Sequence, residues 1–102
     1  MVPDLFWAEV GNTIWKAVRR GRLEPPDGQL AIAELLVLGI PTLGSRELLR
    51  EAHTIAAGSG CAVYDCVYVS LAIETGRELM TADQRLTNSL APRYPVRWLG
   101  AI

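Results

Sequence analysis

Apolar residues in the first part of the chain recur every three or four positions, which is the spacing of one helix face. They are Leu5, Phe6, Val10, Ile14, Ala17 and Val18. Pro3 suits the first turn of a helix, and Gly21 suits its end because glycine readily adopts a left-handed backbone conformation. The pattern therefore predicts a helix over 3–20.

The rest of the chain alternates between helical patterns and short extended ones. The sequence PPDG at 25–28 precedes a second helical pattern, which Gly39 ends. Further helices are predicted over 46–57 with Ser45 as N-cap, over 64–75, and over 84–90 with Asp83 as N-cap. The 64–75 helix is apolar on more than one face, which indicates deep burial. Short strands are predicted over 40–43, 78–81 and 96–99, and Pro41 favours a sheet-edge position for the first of them.

This order of elements predicts the fold class. Strands separated by helices favour parallel pairing with right-handed crossovers, so we expect an α/β fold with three layers, α/β/α, around a parallel sheet. The 102 residues are enough for one core, which predicts a single domain over 1–102. Half of the residues are hydrophobic and 21% are charged, which is the composition of a globular protein and excludes disorder.

Charge and cysteine content exclude several classes of protein. The net charge of −1 argues against a broadly basic nucleic-acid-binding protein, while leaving room for a local basic patch. Cys61 and Cys66 are too few for a disulfide scaffold or a thiolate zinc site, so we expect them to be small buried apolar side chains. We see no signal segment and no apolar run of the ~18 residues that a membrane span needs. The expected location is the reducing cytoplasm, with no membrane partner.

Three acidic residues are the candidates for chemistry. Ligands of open parallel sheets bind beyond the carboxyl ends of the strands, and Asp83 follows the 78–81 strand. Asp65 lies at the opening of the 64–75 helix, and Glu9 lies within an apolar stretch where an unpaired carboxylate is costly to bury. If the three acids converge, they can hold Mg²⁺, which prefers a few carboxylates plus water. Two such ions about 3.5–4 Å apart would activate water for phosphodiester cleavage.

Each acidic residue also has a purely structural explanation. Asp65 and Asp83 can act as helix caps or first-turn charges, and Glu9 can be a helix-surface acid. His53 is the single histidine, and no Ser/His/Asp or Cys/His arrangement can be assembled around it. No Walker or G-x-G-x-x-G loop is present, which disfavours a nucleotide cofactor.

Basic and aromatic residues are open to two interpretations as well. The basic residues near the end of the first helix either complement its dipole or contact RNA phosphates. They are Lys16, Arg19, Arg20 and Arg22. The tryptophans either pack in the core or anchor a protein interface. They are Trp7, Trp15 and Trp98.

Four segments, in this order and context, carry a family resemblance that runs from about Val2 to Leu99. They are VPDLF at 2–6, EVGN at 9–12, VYDCVYVSLA at 63–72 and LMTADQRL at 79–86. Together they resemble the PIN domain family, and within it the VapC-type toxins of bacterial and archaeal toxin–antitoxin pairs. The resemblance implies a PIN-like, Rossmann-like topology and a metal-dependent ribonuclease, a hydrolase that acts on phosphodiester bonds.

The resemblance also implies roles for individual residues and partners. Glu9, Asp65 and Asp83 match the acids that are both catalytic and metal-binding, with Mg²⁺ or Mn²⁺ as cofactor. Thr81 matches a hydroxyl position that helps to order the acids, and Asn12 sits where a polar neighbour is common. The nucleic-acid-binding candidates are Lys16, Arg19, Arg20 and Arg85. The implied partners are an RNA substrate, a cognate antitoxin protein and a second copy of the chain in a homodimer.

The likeness departs from the family at its start. The family opens with a central strand that ends in Asp followed by Ser or Thr, and then a helix, whereas here the likeness begins at Val2. We therefore expect this chain to lack that strand and one metal ligand, unless Met1 is not the true start. Buried unpaired strand groups would each cost about 1–3 kcal/mol, so the chain by itself should be marginally stable and impaired as an enzyme. The alternative is a non-catalytic PIN remnant that binds an antitoxin or another toxin chain.

Overall fold

The computed structural model describes residues 1–101, and the chain divides into two compact units, Met1–Leu43 and Gly44–Ile102. The first unit contains β1 (Val2–Pro3), α1 (Leu5–Arg19), α2 (Pro25–Val37) and β2 (Thr42–Leu43). The second contains α3 (Ser45–Ser59), α4 (Val63–Glu74), β3 (Leu79–Thr81), α5 (Gln84–Leu90) and β4 (Val96–Trp98), followed by a 3₁₀ turn over Leu99–Ala101.

The apolar pattern did not predict the strand β1, because it assigned Pro3 to a helix. Val2 aligns with Thr42 and Pro3 with Leu43 in a parallel pair. The amides on either side of Pro3 make the flanking bonds: Val2 N donates to the Pro41 carbonyl at 2.9 Å and Asp4 N donates to the Leu43 carbonyl at 2.9 Å. Pro3 has no N–H and occupies the position between these donors. Its pairing with β2 therefore loses no backbone hydrogen bond. The prediction that Pro3 lies in the first helical turn is therefore wrong, and α1 begins at Leu5.

Helices α1 and α2 pack closely at a glycine. Gly28, in the first turn of α2, is buried. A Cβ added there would lie 2.8 Å from Val18 Cγ2 on α1, well inside van der Waals contact. Because Val is β-branched and stiff at χ1 in a helix, its methyl group cannot easily move aside. The absence of a side chain at position 28 therefore sets the approach of the two helices.

Replacing Gly28 by Ala should destabilise the protein by about 1–3 kcal/mol, because the overpacking against Val18 outweighs the gain in helix propensity. Gly11→Ala is the matched control, since a Cβ at that helical position meets nothing within 4 Å. The control should stabilise the protein by up to about 1 kcal/mol. Urea denaturation of both variants measures the difference, and equal shifts would contradict this account of the α1–α2 contact.

The core of the second unit lies between α3 and α4. Leu48, Ala52 and Ile55 repeat at helical spacing on α3 and are buried. On α4 the buried residues are Cys66, Val67, Val69, Ser70, Leu71 and Ala72. The predicted deep burial of the fourth helix is thus confirmed. Gly60, at φ +76°, ends α3 in the left-handed conformation that glycine favours, and it lets the chain turn into α4.

The buried polar group of this core is satisfied. Ser70 is fully buried on α4, and its Oγ donates to Glu51 Oε1 at 2.8 Å. The same hydroxyl lies 3.4 Å from the Leu48 carbonyl oxygen on α3. A buried hydroxyl without a partner would be costly, so these contacts let a serine lie within an otherwise apolar helix interface.

The strands β3 and β4 form a second parallel pair, in which Leu79, Met80 and Thr81 align with Val96, Arg97 and Trp98. Within residues 1–101 the strands thus form two two-stranded sheets, β1–β2 and β3–β4. The helix-rich order with short parallel strands confirms the α/β fold class. The strands β2 and β3 therefore belong to different sheets.

Most helix limits agree with the sequence pattern, but one cap does not. Asp83 is the N-cap of α5, as predicted, and its Oδ1 accepts a hydrogen bond from Leu86 N. Ser45, the predicted cap of α3, is instead the first residue of that helix, and Gly44 occupies the N-cap position without a side-chain bond. The prediction of a Ser45 cap is therefore wrong, because the extended backbone before the helix ends one residue earlier.

No single helix among residues 1–101 is both long and apolar enough to cross a membrane. Helices α3 and α4 pass such a test only as a pair, bent by 119° at the break between them.

Candidate functional site

Two of the predicted acids line one pocket of the second unit. Asp65 and Asp83 are both exposed, and the pocket between them has a volume of about 240 Å³. Arg85 and Cys61 also line it. The pocket therefore combines two carboxylates, a guanidinium and a thiol.

Local structure fixes the position of each carboxylate. Asp65 is the third residue of α4, in the first turn, where a negative charge is favoured by the helix dipole. Asp83 is held at both its backbone and its side chain. Its N–H donates to Thr81 Oγ1 at 3.1 Å, and its Oδ1 accepts from Leu86 N at 3.1 Å. The structure thus places Thr81 where its hydroxyl orders the backbone of one acid.

The cap bond leaves Asp83 able to bind a further group. A carboxylate carries two oxygens, each with two lone pairs, and the cap bond uses one of these acceptor sites. The capping and ligand-binding interpretations of Asp83 are therefore compatible with each other. The cap bond fixes the rotamer, and an oriented carboxylate is what a metal site requires.

The two cysteines differ in their surroundings. Cys66 is fully buried, and its Sγ lies 4.0 Å from the Cys61 carbonyl oxygen. Burial raises the pKa of the Cys66 thiol, and the nearby Cys61 and Asp65 raise it further, while a hydrogen bond with Ser59 acts in the opposite direction. Cys66 therefore stays a protonated thiol at neutral pH, and only the thiolate binds metals well. The expected burial is confirmed for Cys66, whereas Cys61 is half-buried at the pocket wall.

Glu9, the third predicted acid, belongs to the first unit. It is exposed on α1, as is Asn12 one turn later, and the Glu9 carbonyl accepts a hydrogen bond from Thr13 Oγ1 at 3.0 Å. Taken separately, neither unit within residues 1–101 holds a group of three His, Cys, Asp or Glu side chains arranged to bind a metal ion. Asp65 and Asp83 are thus brought together as a pair, and the third ligand stays a prediction.

The basic residues of α1 show contacts that suit a helix end. Lys16 and Arg19 lie in the last turn, where positive charge complements the helix dipole, and Arg20 follows the helix. The Arg19 guanidinium lies 5.3 Å from the centre of the Trp15 ring, within the range of a cation–π contact. Trp15 itself is 53% exposed, so of its two interpretations the one that packs it in the core is wrong, and its role as an interface anchor stays a prediction. RNA contact by these residues stays a prediction.

The other two tryptophans are half-buried. Trp7 Nε1 donates to Thr42 Oγ1 at 3.0 Å, so this side chain holds the start of α1 against β2. The hydrogen bond gives Trp7 a structural role within the first unit.

Residues outside the sequence motifs complete the pocket. Ser59, at the end of α3, and Ser89, near the end of α5, both line it. The Ser59 hydroxyl donates to the Ile55 carbonyl at 2.7 Å and accepts from Cys61 N at 3.2 Å, which ties the end of α3 to the turn before α4. No motif in the sequence pointed to these serines, which come from the ends of two helices.

Comparison with known proteins decides the family. No family model matches the chain. The chain is 35% identical over 94 residues to Ribonuclease VapC3 of Pyrobaculum aerophilum, an alignment that covers 90% of this chain and 69% of that protein. The chain belongs to the VapC ribonuclease family. This VapC chain is also 30% identical over 98 residues to VapC ribonuclease Mb0985 of Mycobacterium bovis and to Ribonuclease VapC9 of Mycobacterium tuberculosis, covering 93% of this chain and 73% of each relative.

Family membership agrees with the resemblance inferred from the four sequence motifs. The likeness to VapC-type proteins is confirmed, and the α/β fold with short parallel strands is consistent with it. The alignments extend over 90–93% of the chain.

Proposed function

We propose that this VapC chain is a metal-dependent endoribonuclease of a toxin–antitoxin pair, and that the pocket of Asp65 and Asp83 is its catalytic site. Ribonuclease names among its relatives support the class of reaction. One observation carries the assignment to this pocket: two acids 18 positions apart in the sequence, at the starts of two different helices, line the same cavity beside an arginine.

The chemistry of the pocket fits a Mg²⁺ or Mn²⁺ ion. Mg²⁺ is commonly bound through one or two carboxylates together with waters and substrate phosphates, so Asp65 and Asp83 form a sufficient protein contribution. A bound divalent ion supplies an activated water and offsets the charge of the phosphodiester. Arg85 adds a fixed positive charge to the same pocket, suited to holding an RNA phosphate. Glu9, by resemblance, is proposed as a further acid of the site.

Metal titration tests this proposal. We expect cleavage of a fluorescent single-stranded RNA to rise with Mn²⁺ or Mg²⁺ concentration, to saturate, and to fall to background when EDTA is added. Ca²⁺ is the control, because its larger and more flexible coordination supports binding without the same geometry. Cleavage that persists unchanged in EDTA would contradict metal dependence.

By resemblance, a further Asp contributes to the family's acidic cluster, beside the acids that Glu9, Asp65 and Asp83 match. If the protein lacks that Asp, its site attracts a divalent ion less strongly, and half-saturation requires a higher Mn²⁺ concentration. Reading the coding DNA upstream of Met1 for a short apolar strand that ends in Asp-Ser or Asp-Thr separates an extended chain from a remnant.

A non-catalytic interaction module is the second candidate function. The end of α2 and the residue after it carry exposed apolar side chains: Leu36 is 64% exposed, Val37 82% and Leu38 69%. Exposed apolar patches of this kind are typical of protein interfaces, and an antitoxin or a second copy of the chain is the proposed partner. Capture of a small partner by a chain that shows no metal-stimulated cleavage would favour this candidate.

A further inference from the structure

A second pocket adjoins the acidic one in the same unit. It has a volume of about 310 Å³ and lies between the end of α3 and the turn that follows α5. Its lining residues are Gly58, Ser59, Ser89, Pro92, Arg93 and Tyr94. This volume falls within the range of about 300–1,000 Å³ that is typical of small-ligand sites.

The two pockets share part of their wall. Ser59 and Ser89 line both of them. Asp65, Asp83 and Arg85 line only the acidic pocket, and Arg93 and Tyr94 line only the second one. The second pocket is thus the immediate neighbour of the proposed catalytic site.

The second pocket is built on backbone that is already held in place. Arg93 N and Tyr94 N donate to the same Leu90 carbonyl, at 3.1 and 2.8 Å, and Val96 N donates to the Tyr94 carbonyl at 2.8 Å. Pro92 and Pro95 flank this turn and restrict its backbone further. Tyr94 is half-buried, which orders its ring. The pocket therefore needs little reorganisation to accept a ligand.

The side chains match the chemistry of a nucleotide. An aromatic ring offers a face on which any base can stack, and stacking of this kind is a main source of affinity for single-stranded RNA. The exposed Arg93 can pair with a phosphate, and serine hydroxyls can hydrogen-bond to a base edge or a ribose. Gly58 also lines the pocket, and a Cβ there would meet nothing within 4 Å, so no side chain narrows the pocket at this position.

We propose that this second pocket is a subsite for the nucleotide next to the scissile phosphate, with its base stacked on Tyr94 and its phosphate paired with Arg93. The inference rests on the proposed ribonuclease function and deepens it. Tyr94 and Arg93 would then position the substrate, whereas Asp65 and Asp83 act at the reacting phosphate.

Binding without cleavage gives the cleanest test. The anisotropy of a fluorescein-labelled short single-stranded RNA is measured in EDTA for the parent chain and its variants. Tyr94→Ala should weaken binding about fivefold or more, because a stacked base is lost, while Tyr94→Phe should bind like the parent. An RNA with one abasic position in the stacked place should bind the parent as weakly as the intact RNA binds Tyr94→Ala.

A blocking variant provides a test that does not remove any contact. Gly58→Phe adds a bulky ring at the wall of the pocket, and any non-proline residue is more favourable than glycine within a helix, so the variant should fold. It should weaken RNA binding as much as Tyr94→Ala does. Ala57→Phe, one position earlier on the same helix and outside the pocket lining, is the matched control and should bind like the parent.

The outcomes separate this inference from the proposed function. Parent-like binding by both Tyr94→Ala and Gly58→Phe, or equal affinity of the parent for intact and abasic RNA, would overturn the subsite even if metal-dependent cleavage is observed. Binding that depends on Tyr94, together with no cleavage in any divalent ion, would support the subsite and contradict the ribonuclease. If cleavage occurs, Tyr94→Ala should also raise KM more than it lowers kcat.

Discussion

Replacing Asp83 by Asn should reduce metal-dependent RNA cleavage about 100-fold or more while leaving the fold intact. Asparagine is as good an N-cap as aspartate, because its side-chain oxygen can still accept the hydrogen bond from Leu86 N. The neutral amide is a much weaker ligand for a hard divalent cation, and a loss of about 2.7 kcal/mol in transition-state stabilisation corresponds to 100-fold in rate. Initial rates in saturating Mn²⁺ measure the effect on activity, and the thermal midpoint reports the fold.

Asp83→Ala completes the comparison. It removes the cap as well as the carboxylate, so it should lose activity and also about 1 kcal/mol of stability. Asp65→Asn should reduce cleavage to a similar extent as Asp83→Asn. If Asp83→Asn and Asp65→Asn both cleave RNA at the parent rate, the acidic pocket is not the catalytic site, whatever the family's activity.

Replacing Leu48 by Ala should cost about 2–5 kcal/mol of stability, a large part of the roughly 5–15 kcal/mol that holds a typical domain together. Leu48 is 1% exposed and lies in the α3–α4 core, so truncation leaves a cavity. It should therefore have a far greater effect than the change at the next position, Leu49, which is 52% exposed. Leu49→Ala should change stability by no more than about 0.5 kcal/mol.

Urea denaturation of the two leucine variants tests the orientation of α3. Adjacent positions on a helix point about 100° apart, so the pair compares the buried face with a solvent face of the same helix. Equal destabilisation by Leu48→Ala and Leu49→Ala would mean that α3 presents a different face to α4.

Asp83 illustrates how a structural and a functional role can share one residue. Its carboxylate caps the N-terminus of α5 by accepting from Leu86 N. This cap bond, together with the bond that Asp83 N donates to Thr81 Oγ1, fixes the side chain that lines the pocket. The motif LMTADQRL therefore encodes a strand end, a helix start and an oriented acid within eight positions. The structural explanation of Asp83 and its proposed chemistry rest on the same contacts.

Sequence motifs anticipated the acids of the candidate site but not its walls. Asp65 was a candidate because it lies at the opening of a predicted helix, and Asp83 because it follows a predicted strand. Ser59, Ser89, Arg93 and Tyr94 did not, because they come from helix ends and a turn that have no pattern of their own. Their role depends on the ends of α3 and α5 lining a common cavity, and no spacing within either segment encodes that.

The amino-acid pattern was enough wherever the relevant interactions are local. It placed α5 at Gln84–Leu90 with the correct cap, it identified α4 as a buried helix, and it gave the α/β class with parallel strands. It failed at Pro3, where pairing with β2, some 40 residues away, overrides a good helix-start signal. It also could not show that Asp65 and Asp83 line one pocket, because only the folded chain places the starts of α4 and α5 beside the same cavity. Caps and periodicity act over a few residues, whereas strand pairing and pockets join segments whose proximity exists only in the folded chain.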